Sequence, residues 1–305
     1  MVRIAHFSDI HVTADPSGVR FTDLLSKRFA GWLNLRLFRR HMRFRDALSV
    51  LRAFVVDVAA QETDLMVFTG DVTSLSLKQE YSRAATILGS LVESPTVLGI
   101  PGNHDVYVAA DAHGAAFRRH FGSWERSDIA DRRTSESGGY PIVRFVGEGI
   151  AAVALQSARP RPLWDSSGAV GKRQLEALRS TLQHPRVRDR RKLLCVHYAP
   201  RRPDGSSDSY LHGLRDANRL LEEAAIGGVA LIVHGHLHKR FVCPRGAAAP
   251  VHLACVGSLT DARRDRSYHV YEIGPGGIAV HVRRYNPERE VFQAVPEATV
   301  TLELA

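Results

Sequence analysis

Short apolar runs alternate with helical-period stretches through most of this chain. Val2–Ser8, Leu65–Thr69, Thr96–Ile100, Lys192–Val196 and Val229–Val233 read as buried strands. Between them, apolar positions at helical spacing predict helices over Phe44–Gln61, Leu77–Val92, Ala112–Phe121, Gly171–Leu182 and Asp216–Ala225, with Asp216 as a candidate cap. Residues 122–139 are polar and irregular, and Ala199–Leu214 has no apolar period. Tyr140–Phe145 and Ile150–Leu155 predict an antiparallel pair turning at Gly147-Glu148-Gly149, where the α/β alternation gives way to a more β-rich half. Past residue 240 the pattern is nearly all strand: Arg240–Cys243, Val251–Cys255, Tyr268–Ile273, Ile278–Arg284 and Thr299–Leu304, with Pro275-Gly276-Gly277 as a hairpin turn. No repeat or linker divides the chain. We therefore expect residues 1–305 to fold as a single domain, with a basic amphipathic helical insertion at about 20–45 and a β-rich part at about 240–305.

The polar residues at the strand ends change the picture. Asp9 and His11 follow the first strand, Asp71 the second, and Asn103, His104 and Asp105 the third; His197 follows Lys192–Val196, and His234, His236 and His238 follow Val229–Val233. In an α/β protein the carboxyl ends of parallel strands gather at one sheet edge, so these side chains are expected to converge on one pocket. His6, His212, His252, His269 and His281 lack that context and read as non-catalytic. His234, at a strand end, is expected to pack rather than ligate.

Composition adds less. Hydrophobic content of 44% and charged content of 24% are ordinary for a globular protein. No run of about eighteen apolar residues occurs and the N-terminus enters a strand at once, so neither a membrane span nor a secretory signal is expected, and the cytoplasm is the default setting. Cys195, Cys243 and Cys255 lack C-x-x-C spacing, which argues against a disulfide framework or a thiolate site. The net charge of +9 suits an anionic partner, although 36 of the 41 basic residues are arginine, a skew that codon usage can also produce. Within 21–45, Phe21, Leu24, Leu25, Phe29, Trp32, Leu33 and Leu37 recur at helical spacing beside seven basic residues. That stretch either packs on the domain, caps the site, or touches an anionic membrane at its inner face.

Two divalent metals held about 3.5–4 Å apart need a bridging carboxylate and further Asp, Asn and His ligands. Asp9, His11, Asp71, Asn103, His197, His236 and His238 supply that set without sulfur, which suits Mn, Fe, Zn or Co, with Mn favoured. A bridging water acidified by such a pair can attack phosphorus in line.

The series Asp9-x-His11, Gly70-Asp71, Gly102-Asn103-His104-Asp105, His197 and Gly235-His236-Leu237-His238 resembles the signature of the calcineurin-like metallophosphoesterases over residues 2–240. The resemblance implies an α/β fold, a four-layer αββα sandwich of two mixed sheets flanked by helices. It also implies a first metal on Asp9, His11, Asp71 and His238, a second on Asp71, Asn103, His197 and His236, and His104 as the residue contacting the phosphoryl group and assisting the leaving group. The chain departs from the pattern at Ser74, where an acidic or amide residue is common, and at Tyr198, where a second histidine is common; orientation of His104 then falls to another partner, with Asp105 the candidate. The implied activity is hydrolysis of a phosphodiester or pyrophosphate bond, on a nucleotide or a nucleotide-linked lipid. Alternatives are a cyclic nucleotide phosphodiesterase, a broad phosphomonoesterase, a DNA nuclease, or a non-catalytic metal-binding scaffold. No stacking platform of aromatics with interleaved basics is visible, which disfavours nucleic acid. Seven intact ligand positions disfavour the scaffold.

Overall fold

A computed structural model describes residues 1–14, 27–37, 40–129, 138–162 and 164–304. Two mixed β-sheets pack face to face. The first has the order β12-β11-β10-β1-β2-β3, with β13 beside β11; the second has β4-β5-β6-β7-β9-β8. The strands of the first sheet are β1 (Val2–Phe7), β2 (Leu65–Phe68), β3 (Val97–Gly99), β10 (Ser267–Gly274), β11 (Gly277–Asn286), β12 (Val291–Ala294) and β13 (Val300–Leu302). Those of the second are β4 (Ile142–Val146), β5 (Ile150–Ala154), β6 (Arg191–Cys195), β7 (Val229–His234), β8 (Phe241–Cys243) and β9 (His252–Cys255).

Side-chain alternation explains why the parallel strands read as unbroken apolar runs. In β1, Ile4 faces the second sheet and Phe7 the helices; in β2, Val67 and Phe68 divide in the same way. The inner layer joins Ile4, Val67, Leu98 and Tyr271 to Ile142, Leu193, Leu231 and Val233. Outside the first sheet, Phe7, Phe54, Phe68, Tyr81 and Trp124 pack under α2 (Ala47–Ala59), α3 (Lys78–Leu88) and α4 (Ala115–Phe121). Outside the second, Val153, Leu194 and Ile232 meet Leu178 of α5 (Lys172–Leu182) and Leu220 of α6 (Ala217–Ile226). The result is helix, sheet, sheet, helix, the architecture that the resemblance implies.

The turn at Gly147-Glu148-Gly149 and the hairpin at Pro275-Gly276-Gly277 form as the sequence predicts. Two readings need correction. The sequence pattern misses β12, whose burial is carried by Phe292 alone, because a short edge strand with three exposed residues has little apolar signature. Asp216 stands at the start of α6 but its carboxylate does not cap it: it accepts the amides of Val170 and Gly171 at 3.0 and 2.7 Å and so ties the start of α5 to that of α6.

The stretch 21–45 is described only in part. Within it, α1 (Lys27–Leu37) and a 3-10 turn (Arg40–Phe44) are helical, and residues 21–26 and 38–39 lie outside the described residues. Among the described residues no helix is long and apolar enough to cross a membrane.

Candidate active site

β1, β2 and β3 run parallel in one sheet, as do β5, β6, β7 and β9 in the other. Their carboxyl ends meet at one edge of the sandwich, which brings together all seven predicted ligand residues and His104. The loops after β1 and β2 continue side by side, the amides of Asp9, Ile10 and His11 donating to the carbonyls of Gly70 and Asp71. Packing is too close there for side chains. A Cβ on Gly70, at φ +107°, would stand 2.6 Å from Gly102 N, and one on Gly235 would strike Ser8 and Asp9. Asp9, His11, Asp71, His236 and His238 themselves hold left-handed backbone angles, φ between 50° and 69°, which L-residues adopt only where the surroundings enforce it.

Each of three imidazoles is fixed by one ring nitrogen and turns the other inward. His197 Nδ1–H donates to Thr69 O at 2.7 Å, leaving Nε2 at 3.4 Å from Asp71 Oδ2 and 3.0 Å from Asn103 Oδ1. His236 Nε2–H donates to His212 O at 3.2 Å, and its Nδ1 lies 3.1 Å from Asn103 Oδ1. His238 Nδ1–H donates to Asp261 Oδ2 at 3.0 Å, and its Nε2 faces Asp9 Oδ1 at 3.2 Å and His11 Nε2 at 2.9 Å. Buried partners of this kind set the tautomer and orient the free lone pair. Asp9 Oδ1 is buried and has no hydrogen-bond partner, so the two histidine nitrogens beside it are near but not aligned to donate.

Electrostatics follow from burial. Desolvation holds His11 and His236 at about 4 and His197 at about 3, so these rings are neutral in ordinary buffer. His238 differs: burial would lower it, but its hydrogen bond to Asp261 and the nearby charges of Asp9 and Asp261 outweigh that and raise it. Burial, together with the charges of Asp9 and Asp105, pushes Asp71 well above the usual carboxylate range. Asp9 goes the other way, since its interactions with His11 and His238 overcome its own desolvation. Two buried carboxylates among neutral imidazoles, with inward lone pairs, form a receptor for positive charge. Among the described residues, three such groupings lie within reach of a single ion: Asp9, His11 and His238; His11, Asp71 and His104; and Asp9, Asp71 and His197.

His104 donates its amide to Asp71 Oδ1 at 2.8 Å, and its Nδ1 lies 2.7 Å from Ser74 O. The sequence-based candidate for orienting this ring was Asp105, and the structure corrects it: position 74 does supply the partner, through a backbone carbonyl that no side-chain comparison would show. Asp105 instead organises the loops. Fully buried, it accepts the amides of Asp71, Val72, Thr73 and Gly102 at 2.8–3.1 Å and the Thr73 hydroxyl at 2.9 Å. His234 packs, as expected, with its ring 5.5 Å from Phe241. Sequence reasoning missed Asp261 and Arg43. A signal for Asp261 existed, since it follows the parallel strand β9 through Gly257-Ser258, the same strand-glycine-polar pattern as the other ends. His212, read as non-catalytic, lines the cleft, its Nδ1 2.6 Å from Ser166 Oγ.

The cleft over these residues has a volume of about 560 Å³; Arg43, Tyr107, Arg159, Arg161 and Arg264 are among the residues that line it. Residues 2–240 match the family model described as calcineurin-like phosphoesterase. The chain belongs to that family. This phosphoesterase also shares its fold with a dimetal phosphatase from Danio rerio, at 12% identity and TM-score 0.67, over 100% of this chain and 99% of the other. The purple acid phosphatase PPD1 of yellow lupin is similar at 10% identity and TM-score 0.61, covering 99% of this chain and 53% of that one. PhoD is similar at 10% and 0.60, covering 99% and 70%. A search of curated proteins finds no match to the chain. Family membership makes the protein a metal-dependent phosphoesterase, for which a binuclear centre is the family's arrangement.

Below the Asp71 loop, Glu80 is buried and accepts the amides of Ala14, Leu75 and Leu77 at 2.9–3.2 Å, yet desolvation still raises it from 4.5 to about 7. A carboxyl raised on folding stabilises the protein below its unfolded pKa, and that contribution is lost as pH rises through the folded one. The contribution of Glu80 to the stability of the metal-free phosphoesterase should therefore fall as pH rises from 4.5 to about 7. Glu80→Gln should flatten that fall by up to about 3 kcal/mol in urea denaturation; an unchanged pH slope would show that Glu80 ionises freely.

Proposed function

We propose that this phosphoesterase hydrolyses phosphodiester or pyrophosphate bonds with two divalent cations. Asp9, His11, Asp71 and His238 hold one and Asp71, Asn103, His197 and His236 the other, with Asp71 shared. The observation carrying this reading is the facing set of Asp9 Oδ1, buried without a hydrogen-bond partner, and the Nε2 atoms of His11 and His238, which lie 2.9 Å from one another with that of His238 3.2 Å from Asp9 Oδ1; a cation among them satisfies all three. Nitrogen and oxygen donors without sulfur suit Mn, Fe, Zn or Co, and we favour Mn. When bound, such ions acidify water and neutralise charge on phosphoryl oxygens.

The remaining work falls to the chain itself. Asp105 holds the Asp71 and Asn103 loops in register through their amides. With Nδ1–H committed to Ser74 O, His104 has Nε2 as the atom that takes or gives a proton, and as an imidazolium it can donate to the leaving oxygen. The arginines of the cleft favour an anionic ester larger than a phosphoryl group, such as a nucleotide or nucleotide-linked lipid.

A second reading concerns α1. Phe29, Leu33 and Leu37 are 41%, 38% and 68% exposed and lie one turn apart on one face, and Met42 in the turn that follows is exposed as well. We propose that this face rests on an anionic membrane, beside a cleft to which α1 itself contributes Gly31.

Exhaustive chelation should abolish turnover of bis(p-nitrophenyl) phosphate, and Mn or Co should restore it; activity in protein shown to be metal-free would refute the reading. Asp71→Ala should strip both ions, as measured by elemental analysis. His104→Ala should keep both ions while kcat falls about 10² to 10³-fold, the range for one positioned acid or electrostatic donor. Loss of an ion in that variant would instead make His104 a ligand. For α1, the protein should co-sediment with phosphatidylglycerol vesicles, and Leu33→Glu with Leu37→Glu should release it; wild-type protein left in the supernatant would eliminate the membrane reading.

A further inference from the structure

Asp261, the carboxylate behind His238, is completely buried and serves two cationic partners. Its Oδ2 accepts His238 Nδ1–H, and the Arg43 guanidinium lies across both oxygens, Nε donating to Oδ1 at 3.2 Å and Nη2 to Oδ2. The main chain repeats the link, because Ala262 N donates to Arg43 O at 2.8 Å. Arg263 N also donates to Oδ1 at 3.1 Å, and the amide of Asp261 donates to the Ser258 hydroxyl at 3.0 Å. Arg43 belongs to the turn after α1, and the next residue, Phe44, sets its ring 4.7 Å from that of His11 and 6.0 Å from that of His238. Gly31 of α1 lies so close to Leu75 and Tyr107 at the cleft wall that a Cβ would stand 2.7 Å from Leu75 Cδ2.

Two effects of Arg43 on His238 oppose each other. Its charge partly neutralises Asp261, which weakens the pull on the imidazole proton; its two-pronged grip fixes the carboxylate so that the hydrogen bond keeps its direction. Orientation decides the outcome here. A buried carboxylate deprived of its guanidinium must turn toward other donors or take up a proton, and either breaks its alignment with His238. Loss of an outer partner of a ligating histidine costs about 10 to 100-fold in metal affinity.

We infer that Arg43 is a positioning residue that couples α1 and the turn after it, residues 27–37 and 40–44 at the cleft mouth, to the cation held by Asp9, His11, Asp71 and His238. This inference rests on the two-cation reading above. Coupling is reciprocal: whatever the Arg43–Asp261 contact adds to cation affinity, the bound cation returns to the contact. Filling that one site therefore steadies α1 and the turn after it through Arg43 and Phe44.

The test uses the full chain stripped of metal, with manganese alone as probe. Calorimetric titration against a competing chelator gives two affinities, and hydrogen exchange with and without manganese reports on α1 and the turn after it. In Arg43→Ala and Arg43→Gln one of the two affinities should weaken about 10 to 100-fold, with the other held within about two-fold. Arg43→Lys, which restores charge without the fork, should lie between. Manganese should slow exchange across α1 and the turn after it in the wild type but not in Arg43→Gln. Arg45→Ala, whose partner Asp46 is its neighbour at the surface, should behave as wild type. Equal affinities in wild type and Arg43→Gln, loss of both sites together, or manganese protection persisting in Arg43→Gln would each overturn the inference. If Arg43→Ala does not fold, Gln and Lys carry the comparison. A wild type that binds no pair of manganese ions refutes the two-cation reading itself, an outcome distinct from intact binding that ignores Arg43.

Discussion

The carboxylate of Asp105 fixes the geometry on which the rest of the site depends. Four backbone amides from two loops converge on it, those of Asp71, Val72 and Thr73 after β2 and that of Gly102 after β3. The bridge between Val12 and Thr73 uses the carbonyl of Val72 and the amide of Ser74, so without Asp105 these four amides would be orphaned at the buried edge of the sandwich. Burial pushes its carboxyl up to about 6 in spite of those bonds, a measure of how far the site is withdrawn from water. An amide array that gathers one carboxylate also directs another: Asp71, whose own amide is one of the four, is left with Oδ1 against the amide of His104 and Oδ2 toward His11 and His197.

That withdrawal shapes the electrostatics. In water, Asp9, Asp71 and four imidazoles would scarcely notice one another; in the buried edge, desolvation keeps His11, His197 and His236 neutral and drives the two carboxylates apart in acidity. Neutral, oriented imidazoles are the form in which histidine binds a metal, so burial has already removed most of the proton competition. His238 is the exception, because Asp261 behind it holds its proton and also sharpens its lone pair.

How much of this could be read in the sequence depended on range. Strands β1, β2, β3, β6 and β7 are short apolar runs closed by glycine or a ligand-type residue, so both the elements and the residues at their ends were legible. The convergence followed from the rule that parallel strands share a carboxyl edge. Asp105 could be seen but not its task, since four amides from two loops leave no trace in residue type. Ser74 looked like a departure from the family pattern because its contribution is a carbonyl oxygen. Asp261 was hidden 23 residues beyond His238, and Arg43 lay 218 residues before Asp261, one of seven basic residues along an amphipathic stretch that gives no sign which of them turns inward. Edge strand β12 and the diverted carboxylate of Asp216 escaped for a related reason: both are decided by what lies opposite in three dimensions.

Backbone strain links these observations. Five of the seven proposed ligands sit at left-handed φ, each disfavoured by roughly 1–2 kcal/mol for an L-residue, and none is glycine. Such angles persist only where neighbouring bonds over-determine them. The bonds present match the need: Asp71 is held by Asp105 at its amide and by the amide of His104 at its carboxylate, Asp9 by Gly70 O through its amide and by the Ser258 hydroxyl at its carbonyl, and His236 by Asp9 Oδ2 through its amide and by His212 O through its ring. His238 is anchored mainly through its ring, to an aspartate that Arg43 in turn holds. Of these strained positions it is therefore the one whose geometry rests most on a side chain from a distant part of the sequence. The same backbone turn that aims two histidines of one motif at the cleft leaves the first secured by main-chain bonds and the second by a chain of side chains reaching the segment at the cleft mouth.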